Sequence, residues 1–264
     1  VAGQLPVPAA ALTSLGRADL AVNGSDMVIN QKTEQAILNW QSFNIGSDSS
    51  VRFNQPDSSA IALNNIFQGD PSQIMGKITA NGQVFLSNPN GVIFGPKAQV
   101  DVGGLTATTL NIANDKFMAG NAQWEATKSS GSILNQGQLT AYLGGYIALL
   151  APKVINEGVI WAREGTVALA SGDKLSLQIG GNKLISLQID KSALDALIEN
   201  RQAVRADGGL ILISASSANA LRESVIKNTG SLSAPTLSEV GGRIILDAGS
   251  KGTLDRSEEH TSEL

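Results

Sequence analysis

The chain contains no cysteine, and its single histidine, His260, lies in the polar terminal run LDRSEEHTSEL. A thiol nucleophile is therefore impossible, a Ser-His-Asp triad would have to take its base from that tail, and a zinc site of His and Cys ligands cannot be assembled. The lack of cysteine is compatible with an oxidising compartment without proving one. Aromatic residues make up only 4% of the 264 residues, and charged residues 16%, below the roughly 25% of an average soluble domain. Net charge is -4 with Lys and Arg scattered, so no basic stripe exists to track phosphates and no nucleic-acid partner is expected. No apolar run reaches the length of a membrane-spanning helix; the longest, YIALLAP, suits a buried strand. The Gly-rich run VGGLTATT is not followed by a helix that would present phosphate-binding amides, so no small-molecule substrate, cofactor or metal is expected. No signal peptide is present, and because the chain opens at Val1 an export signal is expected to have been removed.

What is abundant is glycine, at 28 residues, set among short β-branched or alternating runs: DMVINQ, SVRFNQ, AIALNNI, KITANGQVFL and AQVDVGGLTATTLNI. Such runs, punctuated by Asn, Gly, Ser and Pro, read as strands, and the fold class is all-β. LSLQIGGNKLISLQID reads as a hairpin about Gly180-Gly181-Asn182. One stretch, KSALDALIENRQAV at 191–204, places Leu194, Leu197, Ile198 and Val204 on one helical face with Ser192 as cap, and predicts a short helix.

Two frames recur in the second half. ILNQGQLTA (133–141), VINEGVIWA (154–162) and IKNTGSLSA (226–234) alternate with GGYIALLAP (144–152), EGTVALASG (164–172), GGLILISAS (208–216) and GGRIILDAG (241–249). A period of about 20 residues is that of one coil of a β-solenoid, in which neighbours stack and bury a face that no coil can bury alone. Asn135, Asn156 and Asn228 head the first frame and are expected to stack as a corner amide ladder. At about 20 to 25 residues per coil the chain would make on the order of ten coils. Residues 1–252 then form a single domain, with 1–30 as an amino-terminal β cap, 175–204 as a hairpin and helix excursion, no evident cap at the carboxyl end, and 253–264 as a polar tail, disordered or appended. Open ends of such a stack expose unpaired backbone, which is why caps are needed.

SNPNGVIFGP, residues 87–96, sits between two apolar runs. NPNG fits a four-residue turn with Asn88 first, Pro89 second, Asn90 third and Gly91 fourth, or else a hairpin centred on Asn90-Gly91. Local residues do not separate a bare turn from a signal. The longer run from residue 36 to 112 carries NWQSFNIG, FNQP, DPSQIMG, NGQVFLSNPNG and VDVGGLTATTL in one order. It resembles very closely the amino-terminal secretion domain of two-partner secretion exoproteins of Gram-negative bacteria, the filamentous-haemagglutinin-like family. The likeness continues more loosely to about residue 175.

The resemblance implies a right-handed parallel β-helix (solenoid) with an amino-terminal cap and extra-helical strands. It implies a monomer that addresses a long exoprotein to its cognate outer-membrane transporter, TpsB, whose periplasmic POTRA modules capture it on the way to the cell surface. The family commonly carries two asparagine motifs. Asn88, Pro89, Asn90 and Gly91 match the second, whereas the expected region of the first, NPNL, holds Phe53-Asn54-Gln55-Pro56, as in the subgroup of adhesins and haem-related exoproteins. Asn54, Gln55 and Pro56 join the NPNG residues as candidates for transporter recognition or folding, with NPNG expected to act indirectly by fixing a corner.

Two rivals remain on the residues alone. Parallel β-helices also host polysaccharide-cleaving enzymes that use clustered carboxylates, for which Asp101, Asp173, Asp207 and Asp247 are the available acids. Alternatively the domain is itself adhesive. Trp40, Trp124 and Trp161 are expected to be packed rather than to form a sugar-binding platform.

Overall fold

Strands that alternate apolar and polar residues at coil-length intervals stack in parallel, each rung lending its backbone to the next. In the computed structural model, described for residues 3–120, 122–125, 131–171, 174–181 and 183–189 and for the strand segments 197–200, 204–205, 210–215, 232–233, 236–240 and 243–247, this stacking builds a parallel β-solenoid of about six turns. The first face starts with Asp26–Gln31, Ser50–Asn54 and Lys77–Ala80, runs through the opening halves of Gln99–Thr108 and Gln138–Leu150, and continues with Val159–Ala162 and Val204–Arg205. The second starts with Gln35–Ser42, Ile61–Ile66 and Gln83–Ser87, takes the closing halves of the same two long strands, and continues with Thr166–Ser171 and Leu210–Ala215. The third holds Ser72–Ile74, Val92–Phe94, Ser132–Asn135, Lys153–Asn156 and Leu197–Asn200.

Register turns the alternation into continuous ladders. Met27, Val51, Ile78, Val100, Leu139 and Ile160 succeed one another up the interior of the first face, all at most 2% exposed. On the second face Leu86, Ala107, Leu149 and Leu169 do the same. Each buried Val, Leu or Ile stabilises the stack by about 1.5–3 kcal/mol, so the interior is the main source of stability. Glycine recurs at the corners because coils touch there through backbone: a Cβ on Gly165 would lie 2.0 Å from the Gly145 carbonyl oxygen, and one on Gly158 2.2 Å from that of Gly137.

The second face is buried on both sides. Its outward residues Ile37, Leu63, Phe85, Ala148 and Ala168 form a second core with Leu110, Phe117, Trp124 and Tyr146. The cover comes from outside the stack. A helix at Asn114–Met118 supplies Phe117, and the strand Ala122–Glu125 supplies Trp124, whose rings lie 5.9 Å and 5.7 Å from that of Phe85. Ala122–Glu125 pairs antiparallel with Lys174–Gly180, which forms a hairpin with Lys183–Ile189. The expected hairpin is thus present, with Gly181 at φ 61° in its turn.

The side-chain amide of Gln83 links that hairpin to the stack. Gln83 Nε2 donates to the Gly181 carbonyl at 2.7 Å, while Gln83 Oε1 accepts from the Tyr146 hydroxyl at 2.5 Å. Tyr146 is fully buried, and burial pushes its phenol far above the ordinary tyrosine range, so it stays a donor. Gln83→Ala removes both bonds, each worth about 1 kcal/mol. Hydrogen exchange followed by mass spectrometry is expected to show protection falling about tenfold further over 174–189 than over 99–108, since a lost local contact opens the local unit first.

Four expectations are corrected. The helix expected over 191–204 is contradicted where the chain is described, since Leu197–Asn200 and Val204–Arg205 are strands; residues 191–196 and 201–203 lie outside the described residues. Parallel pairing to Lys153–Asn156 and Val159–Ala162 outweighs a weak helical propensity. The coil count is smaller because the cap, helix and hairpin consume residues outside the stack and Asn156 to Asn200 is one rung. The cap proper is Val7–Leu15 and Ala18–Asn23, antiparallel to the first coil, whereas Asp26–Gln31 already belongs to the parallel stack. Finally, Arg243–Asp247, in the fourth GG frame, runs antiparallel to Leu210–Ala215 and pairs with Thr236–Val240. Two glycines between apolar runs are a hairpin signal, and that local pairing displaces a further parallel rung and covers this edge of the second face.

Candidate functional site

The NPNG turn joins the second face to the third, between Gln83–Ser87 and Val92–Phe94. The Gly91 N–H donates to the Asn88 carbonyl at 3.1 Å, so the four-residue turn headed by Asn88 is the geometry adopted and the Asn90-Gly91 hairpin is not. Asn88 is fully buried. Its Nδ2 donates to the Asp70 carbonyl at 3.1 Å and to Ser72 Oγ at 3.0 Å, and its Oδ1 accepts from the Asn90 N–H at 3.0 Å. Asn90 Nδ2 donates to the Gln68 carbonyl at 2.7 Å. The next coil is held too, because the Asn88 N–H donates to the Thr108 carbonyl at 3.0 Å and the Gly131 N–H to the Pro89 carbonyl at 2.6 Å. Gly91 has φ 130°, and a Cβ there would lie 3.1 Å from the Ser132 carbonyl oxygen and 3.2 Å from Pro71 Cβ. The motif is a corner staple that spans three successive coils.

The FNQP residues divide. Asn54 and Pro56 are exposed, Asn54 donating to Asn30 Oδ1 at 3.3 Å, while Gln55 is buried. Gln55 Nε2 donates to Gln31 Oε1 at 3.1 Å and to the Gln83 carbonyl at 3.0 Å, and Gln55 Oε1 accepts from the Gly82 N–H at 2.9 Å. This is a second amide stack, of Gln31 on Gln55, at the corner between the first and second faces and bonded onward to the Gln83 backbone, and Gln31 was not singled out from the sequence. The signal was there: VINQ and RFNQ put Gln31 and Gln55 24 residues apart, one coil.

Asn135 and Asn156 are both fully buried, with Asn135 Nδ2 donating to Asn156 Oδ1 at 2.9 Å. Each Oδ1 also accepts from the glycine N–H two residues on, Gly137 at 3.0 Å and Gly158 at 3.2 Å. The Asn-x-Gly frame therefore encodes a turn closed by its own side chain. Asn200 is next in backbone register after Asn156. Asn228 lies outside the described residues.

Among the described residues the candidate acids Asp101 and Asp247 are not brought together. Asp101 is exposed, flanked in register by Thr79 and Thr140, and Asp247 ends a strand opposite Leu210 and Thr236. Asp173 and Asp207 lie outside the described residues. The Glu34 carboxyl is raised above its ordinary value by a hydrogen bond with the Asp57 side chain, but it is exposed at a corner. Among the described residues no group of three or more His, Cys, Asp or Glu side chains is placed to hold a metal ion.

Comparison with known proteins agrees with this architecture. The chain is 34% identical over 252 residues to a heme/hemopexin-binding protein of Haemophilus influenzae, a match that covers 92% of this chain and 27% of the relative. A second heme/hemopexin-binding protein of that organism is 30% identical over 247 residues, 84% of this chain and 26% of its own length. The crystal structure of the HMW1 secretion domain from H. influenzae superposes with a TM-score of 0.71 at 33% identity, over 77% of this chain and 54% of that one. This chain thus spans about a quarter of each heme/hemopexin-binding relative, and the one family model that is matched describes a secretion domain, not an enzyme family. With residues 6–257 matching the family described as the TPS secretion domain, the chain belongs to that family and is the secretion domain of a two-partner secretion exoprotein.

Proposed function

We propose that this domain is read, as a monomer and before it has folded, by the periplasmic POTRA modules of its dedicated outer-membrane transporter, and that once outside the cell it templates the folding of the exoprotein behind it. The observation that carries the reading is the burial of Asn88 at the head of the NPNG staple. A fully buried Asn88, its amide committed to Asp70, Ser72 and Asn90, offers nothing to a partner once the corner has closed. A partner therefore reads Asn88 from the open chain, or Asn88 serves the folding that follows passage, and the corner geometry favours the second. Long-range parallel pairing forms slowly, which leaves time for an unfolded chain to cross the periplasm. Its strands meanwhile offer edges that can add to a POTRA sheet.

The test is secretion of residues 1–252 behind an export signal, with and without the cognate transporter, following the periplasm and the medium separately. Release that depends on the transporter is expected. In a pull-down, isolated POTRA modules are expected to retain the chain diluted from urea at least tenfold better than the refolded domain. Retention in the periplasm despite an intact transporter would overturn the reading.

A further inference from the structure

Asn-Gly is the dipeptide in which an asparagine amide is most readily attacked by its own backbone, because glycine leaves the following N–H unshielded and free to turn. The chain has three such pairs: Asn23-Gly24, Asn81-Gly82 and Asn90-Gly91. The fold ties two of them down. Asn81 Nδ2 donates to the Gln55 carbonyl at 2.9 Å, its Oδ1 accepts from the Gln55 N–H at 2.8 Å, and the Gly82 N–H donates to Gln55 Oε1 at 2.9 Å. At the NPNG corner Asn90 Nδ2 is held by the Gln68 carbonyl and the Gly91 N–H by the Asn88 carbonyl.

The third pair stands apart. Asn23 ends the cap strand Ala18–Asn23 and faces Asp26 across a two-residue hairpin loop, Gly24-Ser25, that leads into Asp26–Gln31. Asn23 and Gly24 are both exposed, and among the described residues neither the Asn23 side chain nor the Gly24 N–H has a hydrogen-bond partner. Gly24 has φ 62°, and a Cβ there would meet nothing within 4 Å, so the turn has room to move and water has room to enter. For the Gly24 nitrogen to reach Asn23 Cγ, the Asn23 backbone must leave its extended form. Here that opens only the pair with Asp26, at the free end of a hairpin. At Asn81 and Asn90 the same rotation breaks bonds that join successive coils.

We propose that Asn23 is a self-modifying site of the folded domain, which deamidates through a cyclic imide without an enzyme. The Gly24 nitrogen adds to Asn23 Cγ, the bond from Cγ to Nδ2 breaks, and the proton from Gly24 passes through water to the departing amide, which leaves as ammonia. Water then adds to one of the two imide carbonyls. Opening on one side restores the backbone and leaves aspartate; opening on the other leaves iso-aspartate, whose main chain runs through Cβ and Cγ. Either product sets a carboxylate across from Asp26, and like charges directly opposite weaken a strand pair. The loosened strand carries Ala18 and Leu20, which pack against the inner core, so the cap loses its grip on the first coil as the domain ages. The site is distinct from the NPNG corner, and it stands whether or not transporter capture works as described above.

The test is prolonged incubation of the whole folded chain near neutral pH, with peptide mapping by mass spectrometry at intervals and a parallel sample held unfolded in urea. At each Asn-Gly pair the rate in the folded chain is divided by the rate in urea, which removes the influence of the flanking residues. That ratio is expected to be at least about fivefold higher at Asn23 than at Asn81 or Asn90, since only there does the fold leave the attacking geometry within reach. Asn23→Gln supplies the control, because its longer side chain would have to close a larger ring and ages far more slowly. Hydrogen exchange over 18–31 is expected to quicken about threefold in the parent once Asn23 has converted, and to stay constant in Asn23→Gln over the same interval. A ratio at Asn23 less than about fivefold above the other two, or cap exchange that rises no more in the parent than in Asn23→Gln, would overturn the assignment.

Discussion

Asn88→Asp is expected to destabilise the folded domain more than Asn88→Ala at pH 7, and to lose that excess on acidification. The alanine variant forfeits the bonds to Asp70, Ser72 and Asn90 and leaves the fully buried Ser72 hydroxyl without its donor, a cost of about 3 kcal/mol. Aspartate keeps the shape and the acceptor for Asn90, but it replaces the donor facing the Asp70 carbonyl with a second acceptor and a charge. Burying that charge with no cation near it costs several kcal/mol, and the carboxyl responds by holding its proton to a pH well above its unfolded value of about 3.9. The folded state then binds more protons than the unfolded one. The penalty is therefore small below about pH 4, where both states are protonated, and grows as pH rises through the folded pKa. Urea unfolding of both variants and the parent at pH 4 and pH 7 measures it: aspartate is expected to be the worse by about 1–2 kcal/mol at pH 7 and no worse than alanine at pH 4. Secreted yield should follow the same order. Unaltered urea midpoints with abolished secretion would instead mean that a partner reads Asn88 directly.

The sequence disclosed this site because its chemistry is local. Asn88, Pro89, Asn90 and Gly91 are the residues a turn requires, and the Asn-x-Gly frame at Asn135 and Asn156 closes its own turn within three residues. Strand runs and the Gly181 hairpin were legible for the same reason. What was not legible depends on which coil lies next to which. Gln83 looks like any polar strand residue until the fold brings Tyr146, Gly181 and Gln55 to it from 63, 98 and 28 residues away. The 191–204 segment misled because its apolar spacing fits a helix, whereas its partners in Lys153–Asn156 and Val159–Ala162 are visible only once the coil is closed. Trp161, 36% exposed where Trp40 and Trp124 are fully buried, could not be told from them because composition does not say which side of a strand faces out.

Gly145→Ala should be among the most damaging single substitutions in the chain, because it strikes the contact by which one coil sits on the next. A Cβ at this position would lie 2.0 Å from the Gly103 carbonyl oxygen and 3.0 Å from that of Tyr142, both backbone atoms that cannot rotate away. Relief requires the two coils to separate at a corner where strands are otherwise about 4.8 Å apart, which breaks ladder hydrogen bonds on either side. A loss of about 4 kcal/mol or more is expected, in the range of severe core overpacking with broken backbone bonds. Gly24→Ala is the matched control. Gly24 has φ 62°, and a Cβ there meets nothing within 4 Å, so only the left-handed backbone is penalised, by about 1 kcal/mol. Urea midpoints of the two variants test the stacking argument without reference to secretion. Transporter-dependent release of the same pair then tests whether folding draws the chain outward. If it does, release of the Gly145 variant slows while that of the Gly24 variant remains near the parent rate. Equal release by both, despite their unequal stabilities, would mean that passage is driven by something other than the stacking of coils.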